Sequence, residues 1–518
     1  MPGRIERIVI VGGGTAGWLS AAYLQTILSG ASRRQIDITV VESDDVATVG
    51  VGEATIPSIV AMLRVIGVPE WRLMSEADAT FKNAIKFVNW GGIPGPEEAS
   101  SYFYHQFDPP PTLEGFSSLT HWLALKNAGV KVAPLWDSTS IGGALCDANR
   151  SPKLFNSAPY EAPIPYAYHI DAVKLGRLLR SIALERGVTR VVDHVETVDR
   201  DESGDIVALH TRDGRQVEGD LFLDCTGFHA LLIEGAFNEP LKSYADLLLC
   251  DRAIACQVPR TEDSQPPRCY TTSTAQSAGW IWGIDLLTRT GTGYVYSSRF
   301  VDDDAAERAL LDHIGPQPGV ELSPRRISMR IGRRQNVWVN NCVAVGLSAG
   351  FLEPLESTGI HFIDLALTML VEHLGEGDAM IPLRAQYNKL MGEVFDDAAE
   401  FIAMHYIFNG RRSEPFWDHY RNNVVLPQSL VEKLEVWAYK IPSNFDLHSR
   451  VTVFGGFSYF AIMAGLNTLP PFGGSLSPFL DLKKSAAVLD QISEQRARAI
   501  QVSPLHEDVL KKLRAVAG

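Results

Sequence analysis

The sequence predicts an α/β protein, and three observations carry that prediction. A β-branched run at residues 8–11 leads straight into a glycine-rich turn, GGGTAG, at residues 12–17. A helical pattern follows over residues 18–29. A second β-branched run, IDITVVE at residues 36–42, closes a β-α-β unit of ordinary length.

Each element has a physical reason. Short continuous β-branched runs suit strands buried on both faces, as in a parallel sheet. Gly12, Gly14 and Gly17 fit G-x-G-x-x-G. The first glycine permits the tight turn, the second lets backbone approach a diphosphate, and the third lets helix and strand pack closely. Amides at the start of the following helix then face an anion. Glu42 ends the second strand, where a carboxylate accepts from both ribose hydroxyls of an adenosine; this favours FAD or NAD over NADP. Later segments continue the pattern: a hairpin strand and a buried strand over 213–228, a buried strand and turn over 341–350, and a helix over 359–374. Proline-rich pieces at 109–111 and 159–165 read as loops, and so does the aromatic stretch FGGFSYFAIMAGL at 454–466.

Bulk properties set the limits. The chain has 518 residues, enough for two to four packing units, with 46% hydrophobic and 21% charged residues. A net charge of -14 argues against a nucleic-acid partner. The six cysteines, Cys146, Cys225, Cys250, Cys256, Cys269 and Cys342, form no CxxC pair, so neither a zinc site nor a disulfide framework is expected. No apolar run approaches about 20 residues and the N-terminus has no cleavage pattern, so a cytoplasmic protein without a membrane partner is expected.

Three further segments indicate chemistry. ATFKNAIKFVNW (79–90) contains Lys82, with Lys86 as the competing lysine if the segment is helical. GWIWGIDL (279–286) sets Trp280 and Trp282 at strand period, with both rings on one face. FLEPLESTGI (351–360) puts Glu356 and Ser357 immediately before a helix.

Together with the opening turn, these segments resemble the flavin-dependent halogenase family typified by tryptophan halogenases. The family's W-x-W-x-I-P appears as Trp280, Trp282 and Ile284, with Asp285 in place of proline; its F-x-x-P-x-x-S-x-G is complete in Phe351, Pro354, Ser357 and Gly359. VGEATIP (51–57) resembles its flavin-covering strap. LFLDCTGF (221–228) and AVGLSAGFLEP (344–354) resemble segments that flavoprotein monooxygenases run beside the cofactor, though Leu347 stands where an aspartate is usual.

The resemblance implies a Rossmann-type FAD-binding module of the flavin monooxygenase kind, from residues 1–80, 165–275 and 335–380. An inserted and C-terminal, largely helical substrate module would take 81–164, 276–334 and 381–518. It implies FAD, used as FADH2, with O2 and chloride or bromide as co-substrates. The cofactor site would comprise Gly12, Gly14, Thr15, Ala16, Gly17, Glu42, Gly52, Glu53, Ala54, Val195, Leu347 and Ile360. A separate flavin reductase would supply FADH2, since no segment suggests a nicotinamide site. The enzyme would be a monomer or homodimer.

Halides are nucleophiles and cannot attack an electron-rich ring, so halide must first be oxidised to hypohalous acid, which must be held and aimed. By resemblance Lys82 holds it, as an ammonium or through a haloamine; burial favours the neutral amine. Glu356 stabilises the cationic ring intermediate and takes its proton. Ser357, Thr358 and Gly359 would bind halide at a helix start. Trp280 and Trp282 would form a wall between flavin and substrate. His105 and Phe107, in FYHQF (103–107), match the residues that flank the indole ring.

Tryptophan halogenases grip the amino-acid head group with a polar C-terminal segment. The matching stretch here, residues 444–466, offers glycines and phenylalanines instead. A zwitterion buried without partners costs several kcal/mol, so indole or another neutral electron-rich arene is the expected substrate. An FAD-dependent aromatic hydroxylase and a non-enzymatic flavin-binding scaffold are the alternatives.

Overall fold

The computed structural model describes residues 4–31, 36–45, 52–92, 101–411, 413–447, 449, 451–470 and 476–515. Two sheets organise these residues. In the first, five strands run parallel in the order Thr189–Val192, Asp37–Glu42, Arg7–Val11, Leu221–Asp224 and Cys342–Ala344, with Trp338–Val339 antiparallel at the edge. Ile10 pairs with Val40 on one side and Leu223 on the other, and all three are buried. Such strands have no polar face, which is why they read as unbroken apolar runs. Helix Thr15–Ala31 leaves the glycine turn and packs against helices Ala172–Glu185 and Gly359–His373. The sequence therefore located the first two strands and this helix to within a few residues.

The second sheet has seven strands, in the order Arg325–Ser328, Arg252–Pro259, Arg289–Tyr296, Gly279–Asp285, Tyr270–Gln276, Ala84–Val88 and Tyr102–Gln106. All neighbours are antiparallel except Tyr270–Gln276 with Ala84–Val88. This sheet corrects the expectation of a largely helical inserted module: the inserted segments are built on strands, and helices dominate only the C-terminal part. Strands Arg252–Pro259 and Tyr270–Gln276, expected with the nucleotide module, pair here instead. A small sheet of Gly52–Ala54, Ala167–Asp171 and Thr80–Lys82 lies beside it; Thr80 Oγ1 donates to the Asp285 carbonyl at 2.6 Å.

Two local expectations also change. The segment around Lys82 is two strands rather than a helix, Thr80–Lys82 and Ala84–Val88. The aromatic stretch expected as a loop holds helix Gly456–Gly465, because burial of Tyr459, Phe460, Ile462 and Met463 outweighs the low helix propensity of its glycines. All six cysteines are unpaired and buried, as are Met62, Met74, Met329, Met369, Met380, Met391, Met404 and Met463. Among the described residues no helix is long and apolar enough to cross a membrane, and no group of His, Cys, Asp and Glu could hold a metal ion.

Candidate active site

The glycine turn is shaped by close approaches. Gly12 has φ +111°, and a Cβ there would lie 2.3 Å from the Cys225 carbonyl oxygen. A Cβ at Gly17 would lie 1.8 Å from the Gly12 carbonyl oxygen, so the helix start packs directly on the backbone of the turn. Gly14 faces open space. That bare backbone at a helix start is what a dinucleotide diphosphate requires, so the residues fit the cofactor. The Thr15 hydroxyl donates to the Ala172 carbonyl at 3.1 Å, and Ala16 abuts Gly346, which brings the turn at Leu347 against this helix. Glu42 accepts from Trp18 Nε1 at 3.1 Å and pairs with Arg190. Glu53 pairs in register with Ile170, between Gly52 and Ala54; burial, then the nearby Asp171 charge, push its carboxyl up to about 7. Val195 opens a strand just past Asp193, whose amide donates to the Glu42 carbonyl at 2.9 Å. Ile360 is buried in the first turn of its helix. Val51, the start of the strap motif, lies outside the described residues.

Lys82 is tied to Ser357, the residue that follows Glu356, and the charges of Lys82 and Glu356 interact. Lys82 is fully buried, and its Nζ donates to the Thr55 carbonyl and to Ser357 Oγ, each at 2.9 Å. Burial pulls its pKa down to about 7, and the Glu356 charge opposes that only in part. Its ammonium lies 5.2 Å from the Phe107 ring centre. Lys86 sits on the next strand, its Nζ 3.6 Å from the Tyr102 ring centre and 3.8 Å from Asp147; that aromatic cage removes it as a competitor.

Glu356 ends a single 3-10 turn, Pro354–Glu356, and Ser357 follows in the left-handed region at φ +63°. This kink turns the chain into helix Gly359–His373, with Thr358 at its N-cap and open space beside Gly359. Two histidines hold the Glu356 carboxylate. His105 Nδ1 is 2.8 Å from Oε2, and His405 Nε2 is 2.8 Å from Oε1. Burial pushes the Glu356 carboxyl up, but the two imidazoles outweigh it and hold the group well below the usual carboxylate range. The other edge of His105 meets Ser458 Oγ at 2.9 Å, and the rings of Phe401, Phe454 and Phe457 surround it at 5.8 to 6.4 Å. Its ring edges are therefore committed to polar partners, and only its faces can meet a substrate.

Trp280 and Trp282 share one face of their strand, with ring centres 6.4 Å apart. Gly293 lies opposite Trp282 in register, and a Cβ there would stand 2.1 Å from the indole, so the glycine makes room for that ring. Asp285, in the place of the family's proline, accepts from Arg268 Nε at 2.7 Å and Nη2 at 3.0 Å. Glu353, three residues before Glu356, has the opposite environment. It is fully buried among Tyr406, Cys250 and Trp280, with neither oxygen at hydrogen-bonding geometry, and burial pushes its carboxyl up to about 7.

His405 was not anticipated from the sequence. Its signal was a lone imidazole in the apolar run EFIAMHYIF, where a buried polar group must find a partner. Ser458 and the Thr55 carbonyl had no signal.

Comparison with known proteins shows the family. The profile of the tryptophan halogenase family matches residues 7–477. The chain is 37% identical to tryptophan 6-halogenase SttH of Streptomyces toxytricini over 516 residues, covering 95% of each chain. It is 38% identical to tryptophan 7-halogenase RebH of Lentzea aerocolonigenes over 495 residues, covering 91% of each. Among solved structures it is similar to BrvH, a flavin-dependent halogenase from Brevundimonas sp. BAL3, with TM-score 0.88, 34% identity, and 98% and 99% of the two chains covered. These likenesses do not favour the hydroxylase alternative.

Proposed function

Since the chain belongs to the tryptophan halogenase family and is a flavin-dependent halogenase, we propose that it halogenates a small neutral electron-rich arene, such as free indole. The observation that carries this reading is the bond from Lys82 to Ser357, which sets the lysine within charge interaction of Glu356 although the two come from segments remote in sequence. When bound, reduced FAD with oxygen supplies the oxidant that converts chloride or bromide to hypohalous acid. A separate flavin reductase supplies the reduced flavin.

This chain's residues hold, aim and deprotonate. In a Rossmann-type module, Gly12, Gly14, Thr15, Ala16 and Gly17 present backbone to the FAD diphosphate. Glu42 already has Trp18 and Arg190 as hydrogen-bond partners and Arg180 at 3.6 Å, but a carboxylate offers about four acceptor sites, which leaves room for a ribose hydroxyl. Gly52, Glu53, Ala54, Val195, Leu347 and Ile360 complete the cofactor site. Ser357, Thr358 and Gly359 take the halide at the helix start. Lys82 holds hypohalous acid; with a pKa of about 7 both of its protonation states are accessible near neutrality. Glu356 accepts the proton released by the ring. His105, Phe107, Trp280 and Trp282 supply aromatic walls.

The neutral substrate follows from committed side chains. Asn444 Oδ1 accepts from the Gly456 amide at 2.8 Å. The Asp446 carboxylate accepts from Trp437 Nε1 at 3.0 Å and from Lys440 at 2.6 Å. Phe454 stacks on Phe401 at 3.9 Å. The segment where relatives were expected to offer polar grips, in which residues 448 and 450 lie outside the described part, thus commits its asparagine and aspartate to partners within the chain. The test compares kcat/KM for indole and L-tryptophan with bromide and a partner reductase. A clear advantage for tryptophan overturns the substrate reading. Full activity in Glu356→Gln overturns the role of the base.

A further inference from the structure

The two histidines that hold Glu356 are not equivalent, and the difference fixes where the protons sit. His405 is fully buried on helix Met380–Ile407. Its Nδ1 lies 3.0 Å from the Phe401 carbonyl oxygen. A carbonyl oxygen only accepts, so Nδ1 carries a proton in every state that keeps this bond. The contact from Nε2 to Glu356 Oε1, at 2.8 Å, then needs one more proton, on nitrogen or on oxygen. On oxygen, Glu356 is a neutral acid and cannot act as a base. On nitrogen, His405 is a cation and Glu356 an anion.

His105 has more freedom. Its Nδ1 donates to Glu356 Oε2 while its Nε2 faces the Ser458 hydroxyl, which can donate or accept. Every bond of that ring is satisfied in the neutral form, and Ser458 is only half-buried. The charged or titratable groups that face Glu356 are therefore His105 from strand Tyr102–Gln106, His405 from its helix, and Lys82 from strand Thr80–Lys82. Of these, His405 alone has its second polar edge tied to a pure acceptor.

We propose that His405 is a positioning residue for halogenation: a buried imidazolium, locked by the Phe401 carbonyl, that keeps Glu356 ionised and fixes its orientation. The inference rests on the reading of Glu356 as the proton acceptor. Without this cation only His105 is left to oppose burial, which by itself raises a carboxyl by up to about 3–5 pH units, so the protonated share of Glu356 at neutral pH rises.

The kinetic test is His405→Gln, which keeps a donor of similar reach without the charge, assayed with indole, bromide and a flavin reductase. The readout is the ratio of variant to wild-type kcat across pH. The expected ratio is about one tenth or lower at pH 7 and climbs as the pH rises toward 9. A ratio that is low but flat with pH marks a merely structural role and overturns the proposal, as does a ratio near one throughout. A second measurement needs only the folded wild type and Glu356→Gln. In 15N-histidine spectra the His405 signals, identified by comparison with His105→Gln and His405→Gln, should show both nitrogens protonated in the wild type at pH 7. They should revert to the neutral Nδ1–H form in Glu356→Gln. A neutral His405 in the wild type overturns the inference. If Glu356→Gln halogenates indole at the wild-type rate, the underlying reading of the base fails instead.

Discussion

Replacing Lys82 by methionine should make the protein more stable while abolishing halogenation. The folded structure lowers the lysine from its ordinary 10.5 to about 7, chiefly by burial. Folding therefore favours the neutral amine, while the unfolded chain binds the proton more tightly. The sign follows from linkage: below pH 7 the wild type bears the full penalty of a buried ammonium, and the penalty fades as pH rises from 7 to 10.5. At 1.36 kcal/mol per pH unit that penalty is about 5 kcal/mol. Methionine has similar length and no charge to desolvate, but it gives up the bonds to Thr55 and Ser357, each worth about 1 kcal/mol. The net expectation is a gain of about 3 kcal/mol at pH 7 or below, shrinking steadily towards pH 10. Denaturant unfolding of both proteins across that range measures it, beside a bromination assay with indole. A variant less stable than wild type at pH 6–7, or a difference that stays constant with pH, refutes the reasoning about buried charge.

Glu353→Gln tests the opposite case. A carboxyl raised from 4.5 to about 7 makes the wild type lose stability as pH rises through that interval, by up to about 3 kcal/mol. The variant should be the more stable protein at pH 8, with the advantage gone at pH 4.5, as measured by thermal unfolding. Gly17→Ala would place a Cβ 1.8 Å from the Gly12 carbonyl oxygen, so it should lose FAD binding, measured by flavin fluorescence titration. Gly293→Ala would press on the Trp282 indole and should destabilise the fold by about 1–3 kcal/mol, seen as a lower denaturant midpoint.

What could be read in advance was what local pattern encodes. The glycine turn and its flanking strands follow from steric needs within about 30 residues, and they stand where the sequence put them. The tryptophan pair was legible because strand period alone puts two rings on one face. The seven-stranded sheet was not, since it pairs residues 84–88 with 270–274 and no periodicity reports a partner so distant. Lys82 looked compatible with a helix because KNAIK has helical spacing, yet Asn83 breaks the run by donating its amide to Cys269. His405 escaped notice for a similar reason: its meaning depends on Glu356 from another segment, and a histidine in an apolar helix otherwise reads as core.

The distribution of sulfur in this fold has a consequence for an enzyme that handles a strong oxidant. Hypohalous acid attacks thiols and thioethers readily, and susceptibility follows exposure and thiolate character. Every cysteine, and every methionine among the described residues, is buried, and burial pushes the thiols of Cys146, Cys225, Cys250, Cys256 and Cys342 away from the thiolate form. Among the described residues no sulfur lies at the surface, so oxidant that escapes the site meets exposed phenols such as Tyr439 and surface amines first, and the interior keeps its packing.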